Sequence, residues 1–382
     1  MIRNDIKKNI QAYPVRSAPE GFIKLDAMEA PIKFDQALQK SLLDELSTID
    51  LNLYPNKYQH PLQENIRALF KIPPQAAIIL GNGSDELIER LILLVADTNS
   101  KIMAITPTFP IYAHSTLIAG AKFVPFKSHE DFSVDFSTFR KEIDAIKPKL
   151  IFIASPNNPT GVRYPEEELI KILESTDALV VIDEAYAPYA AHNLIHLAGK
   201  YPNLIVLRTL SKIGFAGIRL GFAAGEKSVI ENLNKITAPY NINSLSLAVG
   251  DFIVRHYQDI EKEVRLLSHE REIMLAALED LDYLQVYPSE GNFLLVRTPD
   301  AKLFFNILYD NKILVKNLDH TDPQLHHCLR ISISSRENNQ KLLKVLQSLF
   351  HLGVKNETSF YRKTNARNQH PFAIKSRWDR ES

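Results

Sequence analysis

Lys212 stands in the densest chemical cluster of the chain, Thr209-Leu210-Ser211-Lys212-Ile213-Gly214-Phe215-Ala216-Gly217-Ile218-Arg219-Leu220-Gly221. A lysine among small and apolar residues is poorly solvated, and desolvation or a nearby cation lowers its pKa. The neutral amine that results is a Schiff-base nucleophile toward a carbonyl, although a lone lysine here is equally compatible with ordinary packing. Thr209, Ser211 and the Arg219 fork beside it could bind a phosphate. A second cluster is Gly81-Asn82-Gly83-Ser84-Asp85-Glu86. Its glycines allow a tight turn into a helix whose expected N-cap is Ser84. Exposed amides and the helix dipole make such a start an anion site, or it is a plain capped helix. No Gly-Lys-Ser/Thr comes after it, so it is not a P-loop, and Glu86 occupies the third glycine position of a dinucleotide fingerprint.

Two more polar groups come directly after apolar runs. Asn158 lies in Ser155-Pro156-Asn157-Asn158-Pro159-Thr160-Gly161, a loop whose prolines present its amide rigidly. Asp183 opens Asp183-Glu184-Ala185-Tyr186. It is either a cap for the next helix or a carboxylate kept ionised by a buried cationic partner.

These clusters need elements to position them. Residues 77–80, 102–105, 150–153, 179–182 and 203–207 are short continuous apolar runs, the pattern of parallel strands covered on both faces. Helix-like stretches at 85–96 and 166–174 lie between them, so an α/β fold spans about 77 to 225. Ligands in such sheets bind at strand carboxyl ends, where the polar clusters fall. Residues 246–280 predict one or two long amphipathic helices, followed by strands at 292–297, 312–315 and 329–334 and a helix at 338–350. The expectation is a large domain with a mostly parallel sheet between helices, over 46–283, and a smaller α+β domain over 284–353. Residues 1–45 would form an N-terminal arm and part of the small domain.

The chain has 382 residues, 45 Lys+Arg and 45 Asp+Glu. That balance gives no global field favouring nucleic acid or an anionic membrane. A single cysteine, Cys328, excludes an internal disulfide and a four-thiolate zinc site, and no metal is assigned. The charged opening MIRNDIKKNI is no secretory signal, and no apolar run approaches a bilayer span. A cytoplasmic protein is expected. Beyond 354 periodicity is lost, and residues 355–382 carry seven basic and three acidic residues, which reads as a solvated, disordered tail.

The order of the groups is more specific than any one of them. A glycine-rich helix start, Tyr112, Asn158, Asp183 with Tyr186, Ser211-Lys212 and Arg219 succeed one another on successive strands. In this the chain resembles the fold-type I pyridoxal-phosphate-dependent family, over about residues 10 to 353. Within that family it looks like the histidinol-phosphate aminotransferases. The closer likeness rests on Ile23–Glu29, on Leu53-Tyr54-Pro55, on Arg208–Lys212 leading into Gly217–Phe222, and on Leu314–Leu318 before Cys328-Leu329-Arg330-Ile331.

The resemblance implies that Lys212 carries pyridoxal 5'-phosphate and shuttles a proton. Asp183 would keep the pyridine nitrogen protonated, Asn158 and Tyr186 would bond the ring oxygen, and Tyr112 would stack on the ring. Amides of Ser84 and Asp85, hydroxyls of Thr209 and Ser211, and Arg219 would hold the phosphate. Tyr54 would reach the phosphate of a neighbouring subunit, making the homodimer part of the site. Arg330 would bind the anions of both histidinol phosphate and glutamate or 2-oxoglutarate, and Tyr13 would lie on the substrate side. Ala30 departs from the family's frequent asparagine at the pocket mouth. The implied activity is amino transfer in histidine biosynthesis. Alternatives are an aromatic amino-acid aminotransferase, a phosphothreonine decarboxylase or a non-catalytic binding module. A nicotinamide dehydrogenase is more distant, since the glycine fingerprint is incomplete.

Overall fold

The computed structural model describes residues 2–12 and 17–351. Tyr13 and the basic segment from 354 therefore lie outside the described residues. The strands in chain order are β1 (Ile23–Leu25), β2 (Ala77–Gly81), β3 (Lys101–Thr106), β4 (Lys122–Lys127), β5 (Leu150–Ala154) and β6 (Leu179–Asp183). They continue as β7 (Leu204–Thr209), β8 (Gly221–Gly225), β9 (Gln285–Tyr287), β10 (Phe293–Arg297), β11 (Ile313–Asn317) and β12 (Cys328–Ser332).

Seven strands form one sheet in the order β2-β8-β7-β6-β5-β3-β4. All its pairs are parallel except the two made by β8, which runs against β2 and β7. Strand alternation divides the apolar runs between two cores. Met103, Ile151, Val180, Ile182, Leu204 and Val206 face one, while Ile102, Leu150, Phe152, Val181, Ile205 and Leu207 face the other. Continuous apolarity therefore reads correctly as coverage on both faces. At the edge, β4 is largely exposed and contains Pro125, which an edge strand tolerates because the missing donor faces solvent.

The other sheet has the order β1-β11-β12-β10-β9 and is antiparallel apart from the β1–β11 pair. The region expected to hold one or two long helices holds two, Ser244–Arg255 and Tyr257–Glu279, separated at His256. Phe293 on β10 joins the sheets, since it clusters with Met28, Ala185 and Tyr186 and meets the Tyr186 ring edge-on at 5.1 Å. Among the described residues, no helix is long and apolar enough to cross a membrane.

Candidate active site

A cleft opens where β2, β3, β5, β6 and β7 end. Ser84, Asp85, Tyr112, Asn158, Asp183, Tyr186, Thr209, Ser211, Lys212 and Arg219 all line it. Residues scattered over more than 130 positions meet because parallel strands deliver every carboxyl end to one side of the sheet.

One end of the cleft is built for an anion. The helix Ser84–Val95 has Gly83, not Ser84, as its N-cap, and no side chain caps it. Backbone conformation explains this correction. Gly83 sits at φ +81°, which other residues rarely adopt, so glycine makes the turn into the helix. A Cβ on Gly221 would lie 2.6 Å from the Ser84 nitrogen, so glycine lets β8 approach the helix start. The first-turn amides thus lack a capping side chain and point with the helix dipole toward the cleft. Arg219, itself at φ +49°, donates to Asp85 Oδ2 at 2.8 Å and to Ser211 Oγ at 3.4 Å. Thr209 Oγ1 donates to Ser211 Oγ at 2.9 Å. Amides, two hydroxyls and a guanidinium make a donor set for a phosphate-like dianion.

Lys212 belongs to the 3-10 turn Ser211–Ile213 just after β7. Its residue is half-buried but its amine end is enclosed, 5.7 Å from the Tyr186 ring centre. Desolvation first, then the positive charges of Arg330 and Arg219, bring its pKa down to about 8. The Tyr189 hydroxyl donates to the Lys212 carbonyl at 2.7 Å and fixes the turn that carries it.

Asp183 is buried at the end of β6. Burial pushes its carboxyl up to about 6, against the opposing hydrogen bonds from Tyr112 and the Ala185 amide. Tyr112 donates to Oδ2 at 2.6 Å and the Ala185 N–H to Oδ1 at 3.0 Å. A helix cap does not describe this arrangement. The next element, the 3-10 turn Ala187–Tyr189, has no side-chain cap, and within the chain the hydrogen-bond partners of Asp183 are a phenol and an amide. Tyr112 is fully buried, with one face stacked on Phe152 at 4.5 Å.

Arg330 comes from the other sheet and does not line the cleft itself, meeting it through Asn158. It is buried on β12, donates to Asn158 Oδ1 and to the Asp26 carbonyl at 2.9 Å, and lies 5.7 Å from the Phe293 ring centre. A guanidinium holding Oδ1 turns the amide nitrogen of Asn158 the other way, leaving a donor for a ligand. Tyr54 does not line the cleft of its own chain. It is 72% exposed and stacks on Tyr240 at 4.2 Å.

Three supporting groups escaped the sequence reading. Glu184, fully buried beside Asp183, accepts from Arg208 Nε at 3.0 Å and Nη2 at 2.8 Å, and also from the Leu194 amide. This pair ties the end of β6 to the end of β7, so it sets the spacing of Asp183 and Lys212. Tyr189 is the third group. All three stand inside or beside quoted motifs, but their pairing spans strands and no spacing rule reveals it.

The class I and II aminotransferase family model matches residues 16–346. A histidinol-phosphate aminotransferase of Neisseria gonorrhoeae is 42% identical over 352 residues, covering 91% of this chain and 98% of that one. The crystal structure of the histidinol-phosphate aminotransferase from Clostridium acetobutylicum superposes with a TM-score of 0.79 at 21% identity, over 86% of this chain and 99% of that one. The Sinorhizobium meliloti histidinol-phosphate aminotransferase, solved in complex with pyridoxal-5'-phosphate, gives a TM-score of 0.76 at 21% identity, over 85% and 91% of the two chains. With its strand-end lysine, its buried aspartate and its uncapped helix start all in the matched region, the chain belongs to the class I and II aminotransferases.

Proposed function

We propose that the protein is a pyridoxal 5'-phosphate-dependent transaminase that moves an amino group between histidinol phosphate and 2-oxoglutarate or glutamate, in histidine biosynthesis. The observation that carries the reading is the meeting, in one cleft, of a weakly basic amine, a buried carboxylate and an uncapped helix start with its guanidinium. Those three fit the aldehyde, the ring nitrogen and the phosphate of this cofactor. When bound, it supplies an electron-withdrawing ring that stabilises the electron pair left at the substrate Cα.

The chain's own residues do the rest. Amides of Ser84 and Asp85, the Thr209 and Ser211 hydroxyls and Arg219 would hold the phosphate. Asp183 would hold a proton on the ring nitrogen, its acidity recovered once that cationic partner arrives. Asn158 and Tyr186 would donate to the ring oxygen, and Tyr112 would pack against the ring. Lys212 Nζ would anchor the aldehyde carbon and then take and return the proton at the substrate Cα. Arg330 would serve the phosphate ester of one substrate and a carboxylate of the other in turn, since one planar fork suits both.

A homodimer completes this proposal. Leu43, Leu51, Leu53 and Tyr54 are exposed in one short segment, an apolar surface suited to a second copy. Tyr54 would then reach the partner's phosphate site. A cytoplasmic location agrees with the single cysteine, which is free and buried. Small molecules, rather than nucleic acid or membrane, are the partners that the neutral charge balance favours.

The test is an amino-donor panel with 2-oxoglutarate as acceptor. Histidinol phosphate should give the highest kcat/KM. A higher value for phenylalanine or tyrosine would make the protein an aromatic aminotransferase. Carbon dioxide release from phosphothreonine would make it a decarboxylase.

A further inference from the structure

Away from the cleft, the loop between β11 and β12 gathers Asp319, His320 and His326. Ring nitrogens and carboxylate oxygens of these three lie within 4.8 Å of one another. His326 Nδ1 stands 2.8 Å from Asp319 Oδ1, and His320 Nε2 stands 3.2 Å from Asp319 Oδ2. We propose that this cluster is a binding site for a divalent transition-metal ion of the zinc type, held by His320 Nε2, His326 Nδ1 and the Asp319 carboxylate.

Geometry supports the assignment. Zinc bonds nitrogen and carboxylate oxygen at about 2.0–2.2 Å, so neighbouring ligands around a tetrahedral ion stand roughly 3.3 Å apart. The two imidazole nitrogens stand 2.8 and 3.2 Å from the two oxygens of one carboxylate, and rotation of the exposed imidazoles can bring both to an ion bound there. The Asp319 side chain is only 8% exposed and is fixed in place, since its Oδ1 also accepts the His327 amide at 3.0 Å. His320 and His326 are 83% and 57% exposed, so an ion has an open path and free positions for water. Two imidazoles and one carboxylate suit zinc, nickel or copper, whereas magnesium and calcium prefer oxygen throughout.

The loop's anchoring gives the ion a consequence. Arg297 holds the carbonyls of His326 and Gln324 at 2.6 and 2.9 Å. Gln324 Nε2 crosses to the segment after β4, donating to the carbonyls of Ser128 at 2.8 Å and His129 at 3.1 Å. An ion bonded to residues 319, 320 and 326 would therefore clip shut the loop that bridges the two sheets, immediately before the strand that carries Arg330. It would act as a structural tie, without contact with the reacting atoms.

The experiment uses the full chain without any histidine tag, titrated with zinc chloride against a chromophoric chelator, with Tm measured in parallel. Wild type should bind one ion in a saturable step, and Tm should rise as that site fills. The His320→Ala/His326→Ala variant should bind that ion at least about tenfold more weakly and lose the Tm increase. Asp319→Asn, which keeps an acceptor for the His327 amide but loses the ligand charge, should weaken binding and reduce the Tm increase in the same direction. Absence of saturable binding in wild type would overturn the proposal. So would equal stoichiometry, affinity and Tm shift in both variants, which would place the ion elsewhere.

Discussion

The two sheets contribute to the site in opposite ways. The seven-stranded sheet supplies its groups from the ends of adjacent strands, within a few residues of the strand that carries each. Thr209, Ser211, Lys212 and Arg219 even lie within a single stretch of chain. The five-stranded sheet supplies Arg330, which is 172 positions from Asn158, its partner across the gap. On the first side, the chemistry is set by local turn geometry. On the second, it is set by how two separately built layers meet. The phosphate end of the cofactor cradle should therefore be robust to changes in the small sheet, while substrate recognition and the Asn158 contact should not be.

Removing Lys212 should cause the largest loss, because it abolishes a function no neighbour can supply. Lys212→Ala should retain cofactor through the anion end of the cleft yet lose at least about 10²–10⁴-fold in turnover. Near-normal turnover would remove Lys212 from the mechanism.

Asp183→Asn should come next and should separate affinity from rate. The buried amide keeps the shape of the site but not the charge that holds a proton on the ring nitrogen. Turnover per bound cofactor should fall far more than cofactor affinity. If affinity collapses while that turnover holds, Asp183 serves structure alone.

Arg330→Ala tests the other side of the comparison. Losing a bidentate charged contact should cost both half-reactions about 1.5–3 kcal/mol, or roughly 10- to 150-fold. Arg330→Lys should recover only part, since a point charge cannot make the bidentate fork. Loss confined to the glutamate half-reaction would keep the transaminase but end the phosphorylated-substrate reading.

The pH dependence should show a smaller effect. Asp183, with its pKa raised by burial to about 6, holds an extra proton in the folded chain between about pH 4 and 6. Its contribution to stability is thus present below that window and lost as pH rises through about 6. A cationic ring nitrogen would repay the buried carboxylate, so cofactor should raise Tm more at about pH 7.5 than at about pH 5.5. Tyr112→Phe removes the phenol that opposes the upward shift and should move this transition upward by about one unit or less. An unchanged transition would mean that the 2.6 Å contact does not tune the acid.

The same contrast explains what could be read from the chain. The central strands are legible because β3, β5, β6 and β7 are buried on both faces and are correspondingly apolar over most of their length. Two strands of the same sheet escaped notice for physical reasons. β4 is an edge strand with Pro125 and exposed lysines, and β8 reads Gly-Phe-Ala-Ala-Gly, without the branched bulk of a strand. Its small residues answer to tertiary contact. A Cβ on Gly225 would lie 2.6 Å from the Leu204 carbonyl, just as one on Gly221 would strike the helix start. Ser84 reads as a cap because local propensity does not reveal that the chain turns at Gly83 with φ +81°. The Glu184–Arg208 tie and the Arg330–Asn158 contact were invisible because each joins positions far apart in sequence.

The central claim is that one cleft runs both halves of an amino transfer, with histidinol phosphate as donor. Its most direct test is a single-turnover experiment that mixes cofactor-loaded protein with histidinol phosphate alone and follows the cofactor's absorption. The yellow form should convert to the pyridoxamine form with one donor consumed per chain, and 2-oxoglutarate added afterwards should restore the original spectrum. A spectrum that glutamate converts and histidinol phosphate leaves unchanged would contradict the account.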